Sequence, residues 1–209
     1  MLHLLDIFPY SELGGVFGRA ETHSWIGCPS DLLRILYAFI HLAHNTQYPP
    51  SENISQLLFR LKNFDCTPWT AKSPGVPSIH ARRSLAEAWK GAIEIYGIRV
   101  LGPCYPHFYE VPGKLVETTL DHLVQIPHDN TYFKGSVWPA FVAGAEANNL
   151  QQRQAIRGLF QSLTAFLHTS TLRVASSQLE RIWTRLSTCP LDRSWVKDIW
   201  ERKEGLLLI

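Results

Sequence analysis

Apolar side chains in this chain return every third or fourth residue, segment after segment, and almost never alternate. A period of 3.6 gathers them on one stripe of a helix, whereas a period of 2 would gather them on one face of a strand. The C-terminal third shows this most plainly. Trp138, Phe141, Val142 and Ala145 form one stripe, in a helix that opens on Trp138-Pro139 and turns at Asn148-Asn149. Leu150 to Leu167 carries Ile156, Leu159, Phe160, Leu163 and Phe166, and Leu172 to Leu186 carries Ala175, Leu179, Ile182, Trp183 and Leu186. Trp195 to Trp200 reads as a last short helix. Ser136 is placed to cap the first of these helices, and Pro139 falls in a first turn, where a missing N–H costs nothing.

Earlier segments follow the same logic. Pro29-Ser30-Asp31 precedes Leu32, Leu33, Leu36, Phe39, Ile40 and Ala43, a helical spacing behind a capping side chain. Ser51 starts a shorter segment with Ile54, Leu57, Leu58 and Leu61. Arg82 to Leu101 is read as a long amphipathic helix, with Leu85, Trp89, Ala92, Ile93, Tyr96 and Val100 on one face and a stop at Gly102-Pro103. Lys114 to Gln125 is another helix, closed at Pro127. The prolines and glycine between Phe64 and His80 mark an irregular, exposed loop, and Pro106, Pro112 and Gly113 mark a second. Gly14-Gly15-Val16-Phe17-Gly18 reads as a turn, since it follows no strand and lacks the Lys-Ser/Thr of a phosphate loop. The expectation is an all-α fold: a single domain, residues 1–209, of roughly seven to nine packed helices.

A charged share of 18% is low for a globular chain, as suits a surface partly covered by a partner. The net charge of +2 does not by itself mark a nucleic-acid binder. Cys28, Cys66, Cys104 and Cys189 form no C-x-x-C pair, so they read as reduced, mostly buried thiols and not as a zinc clip. The N-terminal apolar run is too short for a signal peptide, and no stretch reaches the ~20 apolar residues of a membrane span. A soluble, intracellular chain without membrane contact is expected.

No hydrolase or nucleotide-binding signature is present: no G-x-S-x-G, H-E-x-x-H or G-x-G-x-x-G. His128-Asp129, with His107 and His122 as possible helpers, is the sharpest enzymatic candidate, because helical metal-dependent hydrolases ligate their ions through such pairs. It lies in a loop, whereas those ligands need rigid support, so an exposed loop is the better reading. Glu146 and Arg153 flank the Asn148-Asn149 turn and are read as a structural ion pair bridging it, worth at most ~1 kcal/mol if partly exposed. Arg82-Arg83 with Lys90 reads as the solvated face of a helix. No catalytic, metal-binding or DNA-binding residue and no cofactor is assigned.

Several motifs, taken together, resemble one family. Gly27-Cys28-Pro29-Ser30-Asp31-Leu32-Leu33 resembles its early helix start, and the Arg83-to-Arg99 helix with Ala88-Trp89, Ala92, Ile95-Tyr96 and Arg99 resembles its Tyr-x-x-Arg helix. Trp138, Pro139, Phe141, Gly144, Glu146, Ala147 and Arg153 match its central signature, while Ile182-Trp183 and Trp195 resemble its C-terminal Trp motifs. The family is the fungal-specific transcription factor domain, the helical regulatory region of zinc binuclear-cluster regulators of the arginine-metabolism and acriflavine-sensitivity group. Order and spacing carry the likeness from about residue 14 to 200. It implies a nuclear transcription regulator acting through a protein partner or self-association, with a small-molecule effector as an alternative, in control of a metabolic or secondary-metabolite gene cluster. The six-cysteine zinc cluster of full-length members cannot be built from four scattered cysteines, so direct DNA binding is not expected of this chain. Exposed apolar surface near Trp195 to Ile209 is the expected docking site.

Overall fold

The computed structural model describes residues 13–23, 26–44, 51–71, 79–103, 105, 110–189 and 195–202. Among the described residues every regular element is helical. In chain order these are α1 (Leu13–His23), α2 (Ser30–His44), α3 (Ser51–Lys62), α4 (Thr67–Ala71), α5 (Ile79–Leu101) and α6 (Gly113–Val124). A 3-10 segment (Thr131–Ser136) leads into α7 (Val137–Ala145), followed by α8 (Leu150–Leu167), α9 (Ser170–Thr188) and α10 (Trp195–Arg202). The all-α expectation holds.

Helix α5 is the axle. Helices α2, α3, α4, α6, α7 and α10 and the 3-10 segment all pack against it. A one-sided stripe along this helix was the expectation, yet residues on most of its circumference are buried, among them Ala81, Ala86, Ala88, Gly91, Ile95 and Gly97. Small side chains explain the difference, because they admit neighbours on faces that carry no large apolar residue. At Gly91 a Cβ would stand 2.3 Å from the Thr119 hydroxyl, so α6 lies almost on the α5 backbone there.

Turn chemistry closes the helices. The Asn149 side chain accepts the Gln152 N–H at 2.9 Å and caps α8, and His168, with φ of 51°, ends it in the left-handed region. Asn130 caps the 3-10 segment by accepting the Tyr132 N–H at 2.9 Å. That segment displaces the expected cap: Ser136 is helical, makes no capping bond, and runs straight into α7.

Two other expectations give way. The glycines at 14, 15 and 18 lie inside α1, not in a turn; Phe17 meets Tyr37 of α2 edge-on at 5.9 Å, and that packing offsets poor glycine propensity. Within the supposed loop at 64–80, Thr67–Ala71 forms α4. Asp65 accepts the Thr67 N–H at 2.8 Å, Pro68 occupies the first turn, and Cys66, Trp69 and Thr70 are buried. Residues 72–78 lie outside the described residues.

Candidate functional site

Glu146 follows directly on α7, at the negative end of its helix dipole, and is 4% exposed. A carboxylate there needs a cation, and Arg99 supplies it from the last turn of α5, the end at which a cation is favoured. The pair is bidentate. Arg99 Nε donates to Glu146 Oε1 at 2.5 Å, and Nη2 donates to Oε2 at 2.6 Å. The Trp195 indole N–H donates to Glu146 Oε1 at 2.6 Å from the first residue of α10. One carboxylate therefore joins the ends of three helices.

Aromatic rings wall this tie. Trp138 stacks on Trp89 at 4.9 Å between ring centres, Tyr96 leans on both Trp138 and Trp195, and Phe141 meets Trp195 edge-on at 6.2 Å. Trp195 itself is 2% exposed. Behind α7, the Trp183 indole N–H donates to the Gly144 carbonyl at 2.8 Å, a second bond to an oxygen that already accepts the Ala147 N–H at 3.1 Å. Gly144 permits this approach: a Cβ would stand 3.0 Å from Ile156 Cγ2 and 3.2 Å from Leu179. Pro139 and Ala147 are buried in the same layer.

The expected Glu146–Arg153 bridge is replaced. Glu146 takes Arg99, 47 residues earlier, while Arg153 Nε donates to the Ala147 carbonyl at 3.3 Å and its guanidinium lies 5.6 Å from the Trp183 ring. Arg157 covers Trp183 at 4.9 Å and pairs with Glu180 through two bonds of 2.6 and 2.8 Å. Arg99 and Trp195 stand in the sequence motifs, but spacing along the chain gives no sign that they converge on Glu146. Arg185 ties α9 to α10 through Asp198.

Arg82 departs from the solvated face assigned to it. It is 8% exposed and its guanidinium lies 4.0 Å over the Trp69 ring. Arg83 is exposed, and Lys90 donates to the Phe64 carbonyl at 2.8 Å.

His128 and Asp129 are exposed, with the His128 ring 4.6 Å from Phe133. His122 lies on α6, and His107 falls outside the described residues. Among the described residues no group of three His, Cys, Asp or Glu side chains is placed to hold a metal ion.

Cys28 and Cys66 are buried free thiols, Cys189 is an exposed one, and Cys104 lies outside the described residues. Burial pushes the Cys28 thiol well up, and burial aided by Glu87 pushes Cys66 up to about 12. Neither is a thiolate nucleophile at neutral pH. The bond from Thr67 N–H holds Asp65 below its usual value, and burial raises Glu94. No described helix is long and apolar enough to cross a membrane.

The profile of the fungal specific transcription factor domain matches residues 5–209. This chain belongs to that family. It is 28% identical over 162 residues to the acriflavine sensitivity control protein acr-2 of Neurospora crassa. That alignment covers 70% of this chain but 26% of the relative, so the chain spans about a quarter of that protein's length. No solved structure matches. Of the residues read from the sequence as resembling the family's motif, Trp138 and Phe141 wall the tie that Glu146 makes, and Gly144 and Trp183 form the bond behind it.

Proposed function

We propose that this chain is the regulatory region of a fungal transcription regulator, working in the nucleus through protein contacts and not through catalysis. The observation that carries the reading is the family match over nearly the whole chain. Two features of the fold support it. The buried carboxylate is fully engaged in joining helices, and two of the thiols, Cys28 and Cys66, are buried and protonated. The name of the relative, acriflavine sensitivity control protein, is in keeping with a regulatory role, and we extend it to control of a metabolic or secondary-metabolite gene set.

For the contact surface we propose a face other than the expected region from Trp195 to Ile209. Trp195 is core, and residues 203–209 lie outside the described residues. The α8–α9 hairpin is the better face. Residues 150–189 contain Arg153, Arg157, Arg173, Arg181 and Arg185 against Glu180 alone among acids, and a positive surplus remains after Arg157 pairs with Glu180 and Arg185 with Asp198 of α10. Leu150, at the start of α8, is 66% exposed. Such a face favours an acidic protein partner through complementary potential.

A reporter assay tests this reading. The full chain is fused to an unrelated DNA-binding domain, alone and with Arg173→Glu and Arg181→Glu. The intact fusion is expected to change reporter output, and the charge-reversed fusion to lose that effect at equal protein level. An inert intact fusion overturns the regulatory reading; an unaffected charge-reversed one overturns the surface.

A further inference from the structure

Beside the N-terminal half of α5, and away from the Glu146 tie, α5 and α6 enclose an open groove of about 480 Å³. His80, Arg83, Ser84, Glu87, His122 and Gln125 line it. This volume suits a small metabolite. Unlike an apolar effector pocket, it presents polar groups from both helices. The Ser84 hydroxyl donates to Gln125 Oε1 at 3.3 Å, bonding the helices across the floor and leaving the Gln125 amide N–H₂ as a donor.

The two fixed charges decide the ligand class. Arg83 and Glu87 stand four residues apart on α5, about 5–6 Å between Cβ atoms, a spacing at which opposite charges commonly pair. Among the described residues no ion pair joins them. The groove thus offers one cation and one anion side by side, with imidazole and amide groups around them, while Asp65 lies near Arg83 and the protonated Cys66 thiol near Glu87. A phosphate or dicarboxylate would meet Glu87 unfavourably, and a polyamine would meet Arg83. A metal ion is no better served, since no three ligating side chains converge here among the described residues.

We propose that this groove binds a small zwitterion of the α-amino-acid class, its carboxylate held by Arg83 and its ammonium by Glu87. Ser84, Gln125 and the two histidines orient it by hydrogen bonds. The site stands independently of the regulatory reading, because the groove would hold its ligand whatever the chain does to transcription.

Calorimetric titration of the full chain with each protein amino acid tests the site, with the methyl ester and the N-acetyl form of any binder as controls. Saturable binding of at least one amino acid is expected. Removing either ligand charge, or making Arg83→Gln or Glu87→Gln, should weaken it roughly tenfold to hundredfold. Arg83 is exposed and Glu87 half-buried near the Cys66 thiol, and unchanged thermal melting confirms that both variants fold. Absence of binding by every amino acid overturns the proposal. So does equal binding of the ester or N-acetyl form, or binding that both variants leave intact.

Discussion

Glu146 occupies a place where a lone carboxylate would be costly, buried and at a helix C-terminus, and three N–H groups offset that cost. Breaking a buried pair by removing one partner strands the other, at about 3–5 kcal/mol. Glu146→Ala is therefore expected to lose about that much stability in urea unfolding, because Arg99 is left without its acid. Replacing both by apolar residues, as in Glu146→Leu with Arg99→Met, should cost less than the single change. An outcome within experimental error of wild type for Glu146→Ala would contradict the tie. The thiols make a second residue-scale case. In a Cys104→Ser background, an aromatic disulfide reagent at neutral pH should label Cys189 at once and Cys28 and Cys66 only on unfolding. Rapid labelling of three thiols in the native protein would contradict their burial.

Between elements, the close approach of α7 to α8 and α9 hangs on a missing side chain. Gly144→Ala puts a Cβ 3.0–3.2 Å from Ile156 and Leu179, and overpacking of about 1–3 kcal/mol between these close-packed branched side chains outweighs the roughly 1 kcal/mol that alanine gains over glycine in a helix. A lower urea midpoint with an unchanged slope is the expected signature. The α8–α9 tie through Arg157 and Glu180 gives a pH test. The hydrogen bonds from Arg157 lower the Glu180 pKa from its ordinary 4.5, so the folded state favours the carboxylate. That contribution is complete above 4.5 and is lost as pH falls through the lower folded value. Because the pair is about half exposed, it is worth no more than ~1 kcal/mol. The stability difference between wild type and Arg157→Gln should accordingly shrink on acidification below that value; a gap that widens would reverse the sign. The boundaries of α8 and of α7's end were readable because Asn149 and the apolar stripes signal them locally. The α1 and α4 helices were not, since their glycines and prolines argue for turns and only packing of Phe17 and Trp69 overrides that.

At the scale of the whole molecule, the sequence revealed the all-α class and the family, because periodicity and ordered motifs are properties of the chain itself. It did not reveal which signature residues meet. Glu146 was matched to Arg153 across a nearby turn, yet its partners come from 47 and 49 residues away, a pairing created by packing α5, α7 and α10 together. The same packing sends Trp195 inward, away from the surface role its helical position suggested. The account's central claim is that this single carboxylate couples the C-terminal helix to the core. Trp195→Phe keeps an aromatic ring but removes the donor and shrinks the indole to a single ring, and is expected to cost about 1.5–3 kcal/mol. A double-mutant cycle of Glu146→Gln and Trp195→Phe, read by urea unfolding, tests the coupling directly. The account predicts an interaction of about 1–3 kcal/mol between the two sites, and additivity within about 0.3 kcal/mol would contradict it.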